Sequence, residues 1–136
     1  MATTSIFPEN MMKNSELTLE SIATKFTYFH TQLQFLHWKA ITNGEHVALG
    51  DLYEYVYDQK DVIVEALMGC MERKIRSFKV DTVTDNTSHE IVVNDLLSFL
   101  HDLKEWAETN HYDGVEDLAG SLHAYVDRVK YRLTMP

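Results

Sequence analysis

Between residues 9 and 135 the chain contains no proline, since Pro8 and Pro136 lie near its two ends. Proline is the residue that breaks a helix interior, so nothing in the body of the chain prevents long helices. Glycine is scarce as well, with five in 136 residues. The apolar residues then repeat at helical spacing. Leu19, Ile22, Phe26, Phe29, Leu33, Leu36 and Ala40 form one stripe, and Asn43-Gly44 reads as its left-handed stop. A second stripe starts near Glu45, carries Leu49, Leu52, Tyr53, Val56, Ile63 and Leu67, and runs to about residue 76. Ser77 to Asn86 is a polar loop. Thr87-Ser-His-Glu90 has the pattern of a capping box and opens a third helix on Val92, Leu96, Phe99, Leu103 and Trp106, with Asn110 as its stop. Asp113-Gly-Val-Glu116 opens a fourth on Val115, Leu118, Leu122, Tyr125 and Val129. No segment keeps a two-residue alternation. The spacing therefore predicts an all-α antiparallel four-helix bundle, one domain over 1–136 with a core at 17–134 and a short tail at 1–14.

Charge and cysteine content narrow the function classes. There are 12 basic and 21 acidic residues, for a net charge of −9. That balance opposes an electrostatic grip on DNA or anionic lipid and favours attraction for cations. The single cysteine, Cys70, excludes an internal disulfide and reads as a small buried hydrophobe in a reducing compartment. No apolar run is long enough to span a membrane, and the first residues lack a secretory pattern. The cytoplasm is the expected location.

Bundles of this kind can hold metals between their helices. The usual intrachain di-iron set needs Glu-x-x-His on two helices. Here only Glu108-Thr-Asn-His111 matches, at a helix end, and Glu65-Ala-Leu-Met68 lacks the histidine. A different set stands out. His37 lies near the end of the first helix and His46 near the start of the second, so the short turn between them could bring the two rings close. Along the second helix Glu54, Asp58, Asp61 and Glu65 step by 4, 3 and 4 and form one acidic stripe. Like charges at this spacing repel by a few tenths of a kcal/mol per pair. The stripe is either a solvated face or a surface that takes a cation or a partner. Imidazoles with carboxylates suit iron, zinc, copper or manganese. Asp61, fifteen residues beyond His46, is about 22 Å farther along the helix at 1.5 Å per residue. One chain cannot place both on one ion. Two chains with antiparallel second helices can, giving two equivalent sites about a two-fold axis.

This arrangement resembles the Dps family, the ferritin-like DNA-binding proteins of starved cells. The residues that carry the resemblance are the pair His37-Trp38, then His46, then Asp61 fifteen residues on and Glu65 four after that. Leu52, Tyr53 and the final "DGVEDLAGSLHAYVDRVKYRL" fit the same frame, and the resemblance covers roughly residues 17 to 134. It implies Fe(II) oxidation, usually by hydrogen peroxide, with O2 as the other oxidant, and storage of ferric iron in a homo-oligomeric shell. A dimer is the minimum and twelve subunits the family's usual number. The resemblance implies His37 and His46 as ligands from one subunit and Asp61 and Glu65 as ligands from its partner, in a mono-iron or di-iron site. Glu65 would bridge two irons and Trp38 would pack beside them.

The chain departs from the family in four ways. The nine residues from His37 to His46 make a shorter turn. Gly50 replaces a frequent acidic ligand, for which Asp51 or Asp58 would have to substitute. The connection after the second helix leaves little room for the family's small extra helix. Before Thr24 the one cationic side chain is Lys13, so the DNA-binding tail is missing and DNA binding is expected to be weak or absent. Two other classes stay open. One is a ferritin-like bundle that has lost catalysis and serves as a structural or partner-binding protein. The other holds zinc or another divalent ion without redox turnover. His30, His89, His101, His111 and His123 show no convincing partners in the sequence and read as surface or satisfied core residues.

Overall fold

The computed structural model describes residues 17–135. The expected tail at 1–14, with Lys13, lies outside the described residues. Four helices follow in order: α1 (Leu19–Trp38), α2 (Asn43–Met71), α3 (His89–Thr109) and α4 (Asp113–Arg132). No strand occurs among the described residues, and the all-α four-helix bundle stands. No helix among them is long and apolar enough to cross a membrane.

The helix starts follow side-chain chemistry. The Thr18 hydroxyl accepts from Ser21 N–H at 3.0 Å and the Ser21 hydroxyl accepts from Thr18 N–H at 2.9 Å, a reciprocal cap on α1. Thr42 caps α2 by accepting from Glu45 N–H at 3.1 Å. Three sequence expectations need correction here. Asn43-Gly44 does not stop α1 but forms the first turn of α2, because Thr42 takes the cap and no described glycine has positive φ. The cap of α3 is Ser88 rather than Thr87, whereas α4 begins at Asp113 as expected, behind Tyr112 and with no side-chain cap. α2 ends at Met71 and not near 76, where Glu72 turns left-handed at φ 55°.

The helices pack as a ring in which α1 touches α2 and α3, and α4 touches α2 and α3. Long-range hydrogen bonds give the directions. Residues 72–88 climb the full length of α1. Arg76 N–H donates to Glu20, Lys79 N–H to the Thr24 hydroxyl, the Gln32 amide to Thr84 C=O, and Lys39 to Asp85. That climb delivers α3 to the end where α2 begins, and His89 sits 3.6 Å from Glu45 there. So α2 and α3 start together, on opposite corners, and every neighbouring pair is antiparallel. The connection is longer than the polar loop expected at Ser77–Asn86, and it contains no helix.

The core runs along the axis. Leu19, Ile22, Phe26, Phe29, Leu33, Leu52, Ile63, Leu67, Leu96, Leu103 and Leu122 are fully buried. The Phe99 ring meets Phe26 edge-on at 5.0 Å and stacks on Phe29 at 5.7 Å. Cys70 departs from expectation. It is exposed, because it follows Gly69 on the outer side of α2's last turn.

Candidate metal site at the α1–α2 turn

The turn from α1 to α2 is tight and closed by its own side chains. Lys39 N–H bonds back to Phe35 and Leu36 carbonyls, and Ala40 N–H to His37 C=O. Glu45, held by Thr42 at its amide, also accepts from Ile41 N–H at 3.4 Å. This closure brings His37 and His46 face to face, with ring centroids 3.9 Å apart and planes 20° from parallel. The nine-residue spacing thus joins the two histidines.

Their hydrogen bonds are reciprocal. His37 Nδ1 lies 2.6 Å from the backbone oxygen of His46, and His46 Nδ1 lies 3.0 Å from that of His37. A carbonyl oxygen only accepts, so each Nδ1 carries hydrogen and donates. In the neutral tautomer this leaves the lone pair on Nε2 of both rings. Holding one ring nitrogen on a backbone carbonyl is how proteins orient histidine ligands and fix their tautomer. Tyr53 packs against His37 at 5.3 Å. His37 is half-buried and His46 exposed.

The remaining predicted residues lie elsewhere. Asp58, Asp61 and Glu65 are exposed on α2 with Glu54. With His46 one turn into α2 and Asp61 well down the same helix, the two sets do not meet within one chain. Trp38 is 65% exposed, so it does not pack inside its own chain. Ile41 at 94% and Val47 at 45% are exposed beside the same turn.

Four of the other histidines do have partners. His30 Nε2 accepts from Lys60 at 3.2 Å, and Nδ1 lies 3.4 Å from the Thr31 hydroxyl. Burial, with Lys60 beside it, pushes its pKa down to about 4, so it is neutral with its lone pair in use. His89 meets Glu45 at 3.6 Å, and His123 meets Asp127 at 3.0 Å. His101 meets Glu105 at 3.4 Å, and His101, Asp102 and Glu105 bring one ligand atom each within 4.8 Å of one another. Burial raises the Asp102 pKa. This α3 group escaped sequence reading, although His101–Glu105 and His123–Asp127 have the four-residue spacing that signals a helix pair. His111 stands just outside α3 at φ 62°, which takes Glu108-x-x-His111 out of helical register.

No family model, curated protein or solved structure matches this chain.

Proposed function

We propose that the chain is a mini-ferritin-type protein, akin to the Dps family, that binds Fe(II) at sites shared between two copies and oxidises it. The observation that carries this reading is the reciprocal clasp of His37 and His46, which holds both Nδ1 atoms on backbone oxygens and leaves the Nε2 of each ring outside those bonds. Two neutral nitrogens fit iron, zinc or another borderline divalent ion. The long crossover of residues 72–88 is also the connection that ferritin-like bundles use.

In this reading α2 helices of two copies lie antiparallel. The histidines of one copy face Asp61 and Glu65 of the second. The imidazoles supply fixed neutral donors and the carboxylates neutralise charge, with Glu65 placed to bridge two ions and Asp58 as a further acid. Two Fe(II) supply the two electrons that reduce one hydrogen peroxide, and O2 is the other possible oxidant. Protons leave as ferric product forms. Exposed Trp38 packs against the second copy beside the site. The assembly is a homo-oligomer of at least two subunits, with a twelve-subunit shell as the expected form, in the cytoplasm and without DNA.

A divalent-ion binder without turnover shares the same donors, and Gly50 in place of an acid favours a bundle that has lost catalysis. Peroxide-dependent loss of Fe(II) separates the two. The test of the shared site uses four variants. His46→Ala and Glu65→Ala should each reduce Fe(II) oxidation strongly with helix content intact. The mixed dimer of a subunit carrying His37→Ala and His46→Ala with one carrying Asp61→Ala and Glu65→Ala should recover up to about half of the wild-type rate, because one of its two sites regains all four ligands. Absence of recovery on mixing would reject the shared site. Unchanged rates in the single variants would reject the enzymatic reading.

A further inference from the structure

The His37 ring lies where a side chain at position 50 would be. A Cβ built on Gly50 would stand 2.9 Å from His37 Cε1 and 3.0 Å from Nδ1. Those separations are shorter than packed carbon and nitrogen atoms accept. Gly50 sits inside α2, one turn beyond His46, where glycine is less favourable than alanine. Its φ is not positive, so the backbone itself does not require glycine. Gly69, in the same helix, has nothing within 4 Å of the corresponding position. What Gly50 supplies is space.

The ring has nowhere else to go while the clasp exists. Its Nδ1 is held at 2.6 Å by the His46 oxygen, and its face lies 3.9 Å from the His46 ring. Tyr53 stands at 5.3 Å. We infer that Gly50 is a positioning residue whose missing side chain makes room for the His37–His46 clasp, so that a carboxylate at position 50 and the clasp exclude each other. The consequence is a donor set. An acid at 50 would add a hard oxygen ligand at the cost of the stacked imidazoles, whereas glycine keeps two nitrogens. Nitrogen donors favour iron, cobalt, zinc and copper over magnesium and calcium. The inference deepens the proposed metal site and rests on reading the clasp as its ligand pair.

Gly50→Ala in the full chain tests it, with Gly69→Ala as the control. Imidazole 15N spectra of the metal-free protein should show the Nδ1–H tautomer for His37 and His46 in the wild type and in Gly69→Ala. Gly50→Ala should lose that signature, and its affinity for Co(II), followed by visible absorption, should fall at least tenfold. Gly50→Ala should lower the melting temperature in the wild-type background. In a His37→Ala background it should raise it, since the clash is gone and only the helix preference remains. A Gly50→Ala protein that keeps both the tautomer signature and the Co(II) affinity overturns the inference. So does a melting-temperature loss that persists without the His37 ring. A wild type that binds Co(II) through the clasp but leaves Fe(II) unoxidised would reject the ferroxidase reading while this inference stands.

Discussion

Glu20 ties two distant parts of the chain with one carboxylate. Arg73 donates to it twice, at 2.8 and 2.9 Å, and Arg76 N–H donates at 3.0 Å. This bidentate pair, with the added amide, anchors the crossover where it leaves α2. The Arg73 guanidinium and the Arg76 amide hold the Glu20 carboxyl down at about 2, from an ordinary 4.5. The folded value lies below the unfolded one, so the contribution is fully present above about 4.5 and is lost as the pH falls toward 2. Glu20→Gln should therefore lower the melting temperature near neutral pH and flatten its fall between pH 4.5 and 2. Thermal unfolding across that range checks it, and an unchanged acid slope would count against the anchor. At this scale the sequence was partly readable. The closeness of His37 and His46 follows from a short turn. Their carbonyl partners do not, because every residue carries the same carbonyl and only the folded turn aims it. His30 is silenced by Lys60 from another helix, a contact thirty residues away in the chain.

Helices were legible wherever one face alternates with water at the 3.6 period, as on Leu96, Phe99 and Leu103 of α3 or Leu122, Val126 and Val129 of α4. Their ends were less so. Asn43-Gly44 has the composition of a stop, yet Thr42 precedes it with a hydroxyl, and the cap bond to Glu45 N–H makes the same residues a start. Left-handed residues fell on Glu72, whose type carries no signal for that conformation, and on His111, whose type favours it only weakly. The α1 cap was missed because Ser21 takes the place where a capping box usually has glutamate. Two substitutions probe this level. Thr18→Ala removes the hydroxyl that satisfies Ser21 N–H and should cost about 1 kcal/mol. Phe29→Ala removes a fully buried ring stacked on Phe99 and should cost about 3–5 kcal/mol. Urea unfolding measures both. A Phe29→Ala loss no larger than that of Thr18→Ala would mean the axial aromatic cluster contributes little.

For the whole molecule, the ring of helices was predictable from four stripes, but the crossover was not. Residues 76, 79, 84 and 85 bond to α1 through backbone amides, a carbonyl and one lysine, and such long-range pairing leaves no periodic trace. The crossover leaves the outer face of α2 carrying Glu54, Asp58, Asp61 and Glu65 in the open. The proposed two-fold would bring two such stripes together on chains of net charge −9 each. Without cations that contact is opposed by like-charge repulsion, and with them the carboxylates gain a shared counter-charge. Association of subunits should therefore be linked to divalent ions. In the presence of a chelator at low ionic strength, light scattering should report smaller species, and anaerobic Fe(II) or Zn(II) should shift them to the assembled form. Added sodium chloride should help the metal-free chains associate, because it screens the repulsion over roughly 10 Å at 0.1 M. Replacing the acids by their neutral isosteres, Asp61→Asn with Glu65→Gln, should let the metal-free chains assemble at least tenfold more tightly while abolishing the response to metal. Equal assembly of the wild type with and without chelator, at every salt concentration, would remove metal-linked association and leave the acidic stripe as a solvated face.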